Sequence, residues 1–282
     1  MIWMIKRILS LFLFLIVTFS AFSQEDSDRV VLRAFLDYAG KEKIREKETG
    51  ERVALIARFF LGTPYVASTL EAEGPERLQV NLQELDCTTF VENVLALHNL
   101  LKEPEPGYDA FKRILTRIRY RNGIIEGYPS RLHYITDWMS DNKKKSYISF
   151  VDMGCASEIF RPNLHFMTEH LNLYPALKNN SECVDEMAMH EARMNGLTFK
   201  YLPKDKLTDD APFIQTGDII AITTAVPGMD FSHIGFAVRL NGLVYLLHAS
   251  SSEKRVTISN QSLKFYMSGI KNHTGIVVLR PG

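Results

Sequence analysis

Apolar residues recur at helical spacing through the first half of the chain and in strand-like runs through its last quarter. After a charged stretch that opens residues 24–60, Val30, Leu32, Leu36 and Tyr38 mark one amphipathic helix, and Val53, Leu55, Ile56, Phe59 and Phe60 a second. Gly62-Thr63-Pro64-Tyr65 stops the second. Residues 66–84 are polar and irregular. Then Phe90, Val91, Val94, Leu95, His98 and Leu101 predict a buried helix. Asp86 is a good N-cap, and Thr89 with Glu92 also fits a capping box, so this helix starts within a few residues of Cys87. Pro104-Glu105-Pro106-Gly107 is a break. Phe111, Ile114, Leu115 and Ile118 suggest a short helix, and Cys183 to Asn195 another, stopped by Gly196. From Phe213 the period changes. Residues 217–222, 232–240, 243–248, 256–258 and 276–279 read as strands. Helices come first and sheet last, an α+β arrangement.

Composition changes this picture mainly at the N-terminus. Lys6 and Arg7 precede an apolar run from Ile8 to Phe19, and Ala21-Phe22-Ser23 offers small residues for a signal peptidase. Residues 1–23 are therefore expected to be a signal peptide, followed by a single domain over 24–282. The apolar run is short for a membrane span of about 20 residues, so no stable membrane anchor is expected after cleavage. The chain has 33 basic and 33 acidic residues, and losing Lys6 and Arg7 tips the balance slightly acidic. No basic excess exists for a nucleic-acid partner. The expected protein is exported, periplasmic or extracellular, and monomeric.

Three cysteines, Cys87, Cys155 and Cys183, are too few for a disulfide scaffold in 282 residues. Cys155 and Cys183 either pair or remain as two buried thiols; an odd count leaves at least one thiol free. Cys87 falls at the positive end of a helix dipole, where a thiol pKa drops from about 8.5 to about 3.5–7.5. Alone, that position favours a buried structural cysteine, as most free cysteines are, over a nucleophile. A nucleophile needs a base.

The base is predicted from the Asn241-Gly242 pair. It sits between two strand-like runs and signals a two-residue type I′ hairpin. Leu240 then faces Leu243, and Gly235 faces His248. His233 shares a face with residue 235, so His233 and His248 become diagonal neighbours within ring-to-ring reach. Ile234, Phe236 and Val238 point the other way, into a core. One imidazole can take a thiol proton while a second polar group orients it. A one-residue slip in register would separate the two rings. A metal hydrolase is disfavoured, because no His-x-x-x-His pair occurs and His190-Glu191 lacks a second ligand at that spacing. No cofactor is expected.

Five segments in order resemble the NlpC-type branch of the papain-like cell-wall hydrolases. They are Gly62-Thr63-Pro64-Tyr65, Asp86-Cys87-Thr88-Thr89-Phe90, Gly217-Asp218-Ile219, His233-Ile234-Gly235 and His248-Ala249-Ser250. They cover roughly residues 50–102 and 213–260. The Gly-Gly that usually follows Pro-Tyr is replaced by Val66-Ala67, and the cysteine and histidine segments lie unusually far apart. The resemblance implies a papain-like core over about 24–102 and 213–282, with a large, mainly helical specificity insertion over about 103–212. Within it, Tyr120-Arg121-Asn122-Gly123 and Arg131-Leu132-His133-Tyr134-Ile135-Thr136-Asp137-Trp138 resemble an N-acetylmuramoyl-L-alanine amidase-like subgroup.

Carried over by position, Cys87 is the nucleophile, His233 the base and His248 the orienting third member. The Cys87 backbone N–H, with Tyr65, lines the oxyanion hole beside Asp86 and Thr88, although Tyr65 fits a core role equally. Tyr128, Tyr134 and Trp138 could stack on sugar and Arg131 clamp a carboxylate, with His133 and Asp137 nearby; a packed helical subdomain is the alternative for all of them. The implied substrate is a peptidoglycan fragment cut between N-acetylmuramic acid and L-Ala. A D,L-endopeptidase acting within the stem peptide, a Cys-dependent acyltransferase and a non-catalytic wall-binding module are the rivals.

Overall fold

The computed structural model describes residues 24–72 and 74–282, so the expected signal peptide lies outside the described residues. Helix α1 runs over 24–41 and α2 over Thr49–Phe59. Leu32, Phe35 and Ala39 carry α1 into the core, whereas Val30, expected on that stripe, is 68% exposed. Asp28 is buried and accepts the Leu82 N–H, which ties α1 to the segment entering the next helix. Helix α3, Cys87–Leu100, is buried almost all round, polar Thr89, Glu92, Asn93 and His98 included, and so occupies the centre of the fold. Helix α4, Tyr108–Arg119, packs against it.

The sheet occupies the second half. Strands β4 (Ile219–Thr224), β5 (Phe231–Leu240), β6 (Leu243–Ser250), β7 (Arg255–Ser262) and β8 (His273–Pro281) form an antiparallel sheet with β8 beside β4. Alternate residues of β4 serve opposite faces. Ile219 and Ala221 join the main core with α1–α4; Ile220 and Ile222 join a second layer with Leu263 and Met267 of α8, Leu263–Ser268. Phe90 of α3 meets Phe236 of β5 edge-to-face at 5.6 Å.

The insertion holds α4 together with α5 (Ile135–Lys144), the four-residue α6 (Phe166–Glu169) and α7 (Ser181–Asn195), and adds three short strands that were not expected, β1 (Ile148–Phe150), β2 (Glu158–Phe160) and β3 (Phe199–Pro203). β1 and β3 both pair with β8, and β2 with β3. The sheet therefore extends into the insertion. These runs are short and flanked by polar residues, so they carry no periodicity to read. A small separate core of Tyr128, Tyr134, Leu164, Met167, Leu177, Met187 and Met194 holds the rest of it together.

Among the described residues no helix is long and apolar enough to cross a membrane. Cys155 is exposed and Cys183 half-buried, both unbonded, so neither is the buried thiol that was one of the two expectations.

Candidate active site

The N-terminus of α3 is built by a reciprocal cap. Asp86 Oδ1 accepts the Thr89 N–H at 2.7 Å, and Thr89 Oγ1 accepts the Asp86 N–H at 2.9 Å. The box is thus Asp86–Thr89, and not Thr89–Glu92. Glu92 lies one turn deeper, where its carboxylate accepts from Arg119 Nε at 2.6 Å with both side chains about 2% exposed. The cap fixes Cys87 as the first helical residue, with its backbone N–H unused by the helix.

The hairpin supplies two rings. Asn241 and Gly242 have φ of 51° and 84°, the type I′ signature, and the pairs run from Leu240↔Leu243 to Phe236↔Leu247. Continuing that register sets Gly235 opposite His248. A Cβ on Gly235 would lie 2.9 Å from His248 Cβ and 2.8 Å from the Leu247 carbonyl, so only glycine leaves His248 its place. His233 Nε2 and His248 Nδ1 are 2.6 Å apart, with ring planes at 87°. With Nε2 engaged, His233 has Nδ1 left for a thiol proton, and its tautomer is then Nε2–H donating to His248.

Cys87, Thr88 and His233 line one cavity of about 250 Å³. Its other walls come from the insertion (His133, Tyr134, Phe166, Met167, Tyr174) and from the turn into β5 (Met229 to Ser232). The Ile234 N–H and the N–H and hydroxyl of Thr88 lie beside the thiol and favour its anion. A roomier cleft of about 510 Å³ between α5, β1 and β3 contains neither the cysteine nor the paired histidines.

Burial governs the protonation states. It pushes the Cys87 thiol up to about 12, helped by the Asp86 charge and opposed by the neighbouring Ile234 and Thr88 donors. The cap that positions the thiol thus also disfavours its anion, opposite to the lowering expected from the helix dipole. Burial likewise lowers His233 to about 3, with further repulsion from His248 and His273, and His248 to about 4. With these shifts the thiol and both imidazoles are neutral at pH 7.

Other expected site residues divide sharply. Tyr65 is half-buried and close enough to Cys87 and Asp86 that their charges, after burial, raise its phenol pKa. His133 lines the cavity with its Nε2 2.9 Å from the Tyr128 carbonyl, and Tyr134 lines it while donating to Glu191 at 2.6 Å. Arg131 is 4% exposed; it donates to Glu71 at 2.6 Å and to the Leu70 carbonyl at 2.8 Å, so it is engaged within the fold and is no open carboxylate clamp. Asp137 is bridged by Arg121 and by Arg193, the latter at 2.7 Å. Trp138 is 1% exposed and packs in the main core, and Tyr128 packs in the small core of the insertion; unlike Tyr134, neither lines the cavity.

Sequence reasoning missed Phe166, Met167 and Tyr174, whose spacing gives no signal. It also missed Tyr266, whose ring lies 5.3 Å from His248 and 5.9 Å from His273. Asp230 has a legible trace, an acid just before a strand. Its carboxylate accepts the N–H groups of Thr136 at 2.7 Å and Phe231 at 2.8 Å, capping α5 from the core side of the cavity.

The family model for N-acetylmuramoyl-L-alanine amidase-like proteins matches residues 55–276. The chain is similar to a crystal structure of an N-acetylmuramoyl-L-alanine amidase from Bacteroides uniformis ATCC 8492, at 40% identity and TM-score 0.80, over 84% of this chain and 100% of that one. A Bacteroides fragilis structure named provisionally as a xylanase is 44% identical, with TM-score 0.76, over 80% of this chain and 98% of that one. A xylanase needs two carboxyl groups flanking the sugar bond; the cavity described above is lined by one, Asp230, which is committed to backbone donors. A Legionella pneumophila protein at 20% identity and TM-score 0.68, over 92% and 96% of the two chains, shares the fold. Curated proteins provide no match. The chain belongs to the N-acetylmuramoyl-L-alanine amidase-like family and is a hydrolase acting on amide bonds.

Proposed function

We propose that the protein is an exported, monomeric cysteine amidase on a papain-like core, cutting the bond between N-acetylmuramic acid and L-Ala in peptidoglycan fragments. The observation that carries this reading is the 2.6 Å His233–His248 contact at the cavity that also holds Cys87. Cys87 Sγ attacks the lactyl carbonyl as its proton passes to His233 Nδ1. The Cys87 N–H, with Tyr65 beside it, receives the oxyanion. His233 returns the proton to the departing L-Ala amine, leaving a muramyl thioester on Cys87. Water then gives a proton to His233, attacks the thioester, and releases the muramyl carboxylate as the thiol is regenerated. His248 holds the His233 ring in the required tautomer throughout.

The cavity walls favour the muramyl bond over one within the stem peptide. Tyr134, Phe166 and Tyr174 suit a neutral sugar ring, and among the described residues no Lys or Arg lines the cavity to hold a stem-peptide carboxylate beside the cut. Residues 1–23 are the proposed export signal. Mass spectrometry of the products of a defined disaccharide-peptide tests the bond: stem peptide with a free L-Ala amino terminus is expected, and fragments cut inside the stem would refute it.

A further inference from the structure

The insertion wall of the cavity is positioned by a helix that does not line it. Tyr134, Phe166, Met167 and Tyr174 face the cavity, and α7 lies behind them. Glu191 of α7 is 4% exposed and gathers three donors. The Tyr134 hydroxyl reaches its Oε1 at 2.6 Å, the Thr168 hydroxyl its Oε2 at 2.6 Å, and the Thr168 N–H its Oε1 at 3.3 Å. The Tyr134 hydroxyl in turn accepts the Met167 N–H at 2.9 Å. One turn along the same helix face, Asn195 clamps Leu164 from both sides: Oδ1 accepts the Leu164 N–H at 2.6 Å, and Nδ2 donates to its carbonyl at 3.1 Å. On the core side, the Gly228 carbonyl accepts the N–H groups of His165 and Phe166. Segment 164–168 is thus held between α7 and the turn before β5.

We propose that Glu191 and Asn195 are specificity-determining positioning residues: they set the Phe166–Met167 wall for the sugar half of the substrate without touching the reacting atoms. This rests on the muramyl reading above. A carboxylate suits the position because it accepts from Tyr134 and Thr168 simultaneously; an amide offers one acceptor oxygen to the two hydroxyls. Losing Glu191 leaves buried donors unpaired, which the wall relieves by moving. Cys87, His233 and His248 belong to α3 and the hairpin and keep their geometry.

Kinetics of Glu191→Ala and Asn195→Ala on a defined muropeptide test this, with the two products used as separate inhibitors. KM for the muropeptide and Ki for the free muramyl disaccharide are expected to rise about tenfold, the scale of one buried hydrogen-bonding group. The kcat, the Ki of the free stem peptide and the rate of Cys87 alkylation by iodoacetamide are expected to stay within about twofold. Glu191→Gln is expected to move the same constants less. A joint rise of both Ki values, no rise in either, or altered Cys87 alkylation would overturn the inference. Failure of the wild-type enzyme to release L-Ala-terminated peptide refutes the bond assignment instead, and is read before any variant is made.

Discussion

At the scale of single residues, the site turns on small spatial permissions. Gly235 allows His248 to approach His233, and a methyl group there would meet His248 Cβ at 2.9 Å and the Leu247 carbonyl at 2.8 Å. Gly235→Ala is expected to fold with a modest loss of stability, about 1–3 kcal/mol from overpacking. It should lose at least about tenfold in kcat, because positioned proton transfer contributes roughly 10²–10⁴-fold. Thermal melting and steady-state kinetics check the two parts, and an unchanged kcat would separate His248 from the mechanism. Cys87, His233 and His248 were legible because a helix cap and an Asn-Gly turn fix geometry locally. Arg131 and Trp138 take the packed alternative, for a complementary reason. Their chemistry was visible, but Glu71, the partner of Arg131 sixty residues upstream, is revealed only by the fold.

At the scale of elements, α3 joins the nucleophile to the core. Its buried Glu92 pairs with Arg119 of α4, and Arg119 also donates to the Gln79 carbonyl, so one ion pair ties two helices to the segment leading into Asp86. Burial raises the Glu92 pKa and the Arg119 charge opposes that rise. Glu92→Ala would leave a guanidinium buried and unpaired, and urea unfolding should record a loss of about 3–5 kcal/mol. The double variant Glu92→Met, Arg119→Met should be markedly less destabilised; equal losses would contradict the pairing. Helices α2–α4 and strands β4–β6 follow long apolar periodicity and were readable, while β7 and β8 showed only as short apolar runs inside longer strands. β1, β2 and β3 are three to five residues each and depend on β8, or on one another, for partners, so no local pattern could announce them.

At the scale of the whole molecule, burial keeps several histidines neutral. His98, His248 and His273 are lowered to about 4 and His233 to about 3. Unfolded histidines titrate near ~6.5, so below that pH the unfolded chain binds more protons and stability falls until pH reaches about 4. Buried acids with raised pKa, Asp28, Glu92 and Asp230, work in the opposite direction as they protonate. A single-site comparison isolates the histidine contribution. His98, whose Nε2 lies 2.9 Å from the Gly282 carbonyl, can be replaced by Gln with a donor retained. Between pH 6.5 and 4.5 the melting temperature of His98→Gln should fall less steeply than that of the wild type, and parallel curves would contradict the assignment.

The identity of the nucleophile and the identity of the bond meet in one observable, the acyl group carried by Cys87 during turnover. Acid quenching of the enzyme with a defined muropeptide, followed by mass spectrometry of the peptide containing residue 87, measures it. The expected result is a muramyl disaccharide thioester on Cys87. A stem-peptide fragment on Cys87, or turnover persisting in Cys87→Ala with no adduct in the wild type, would contradict the account.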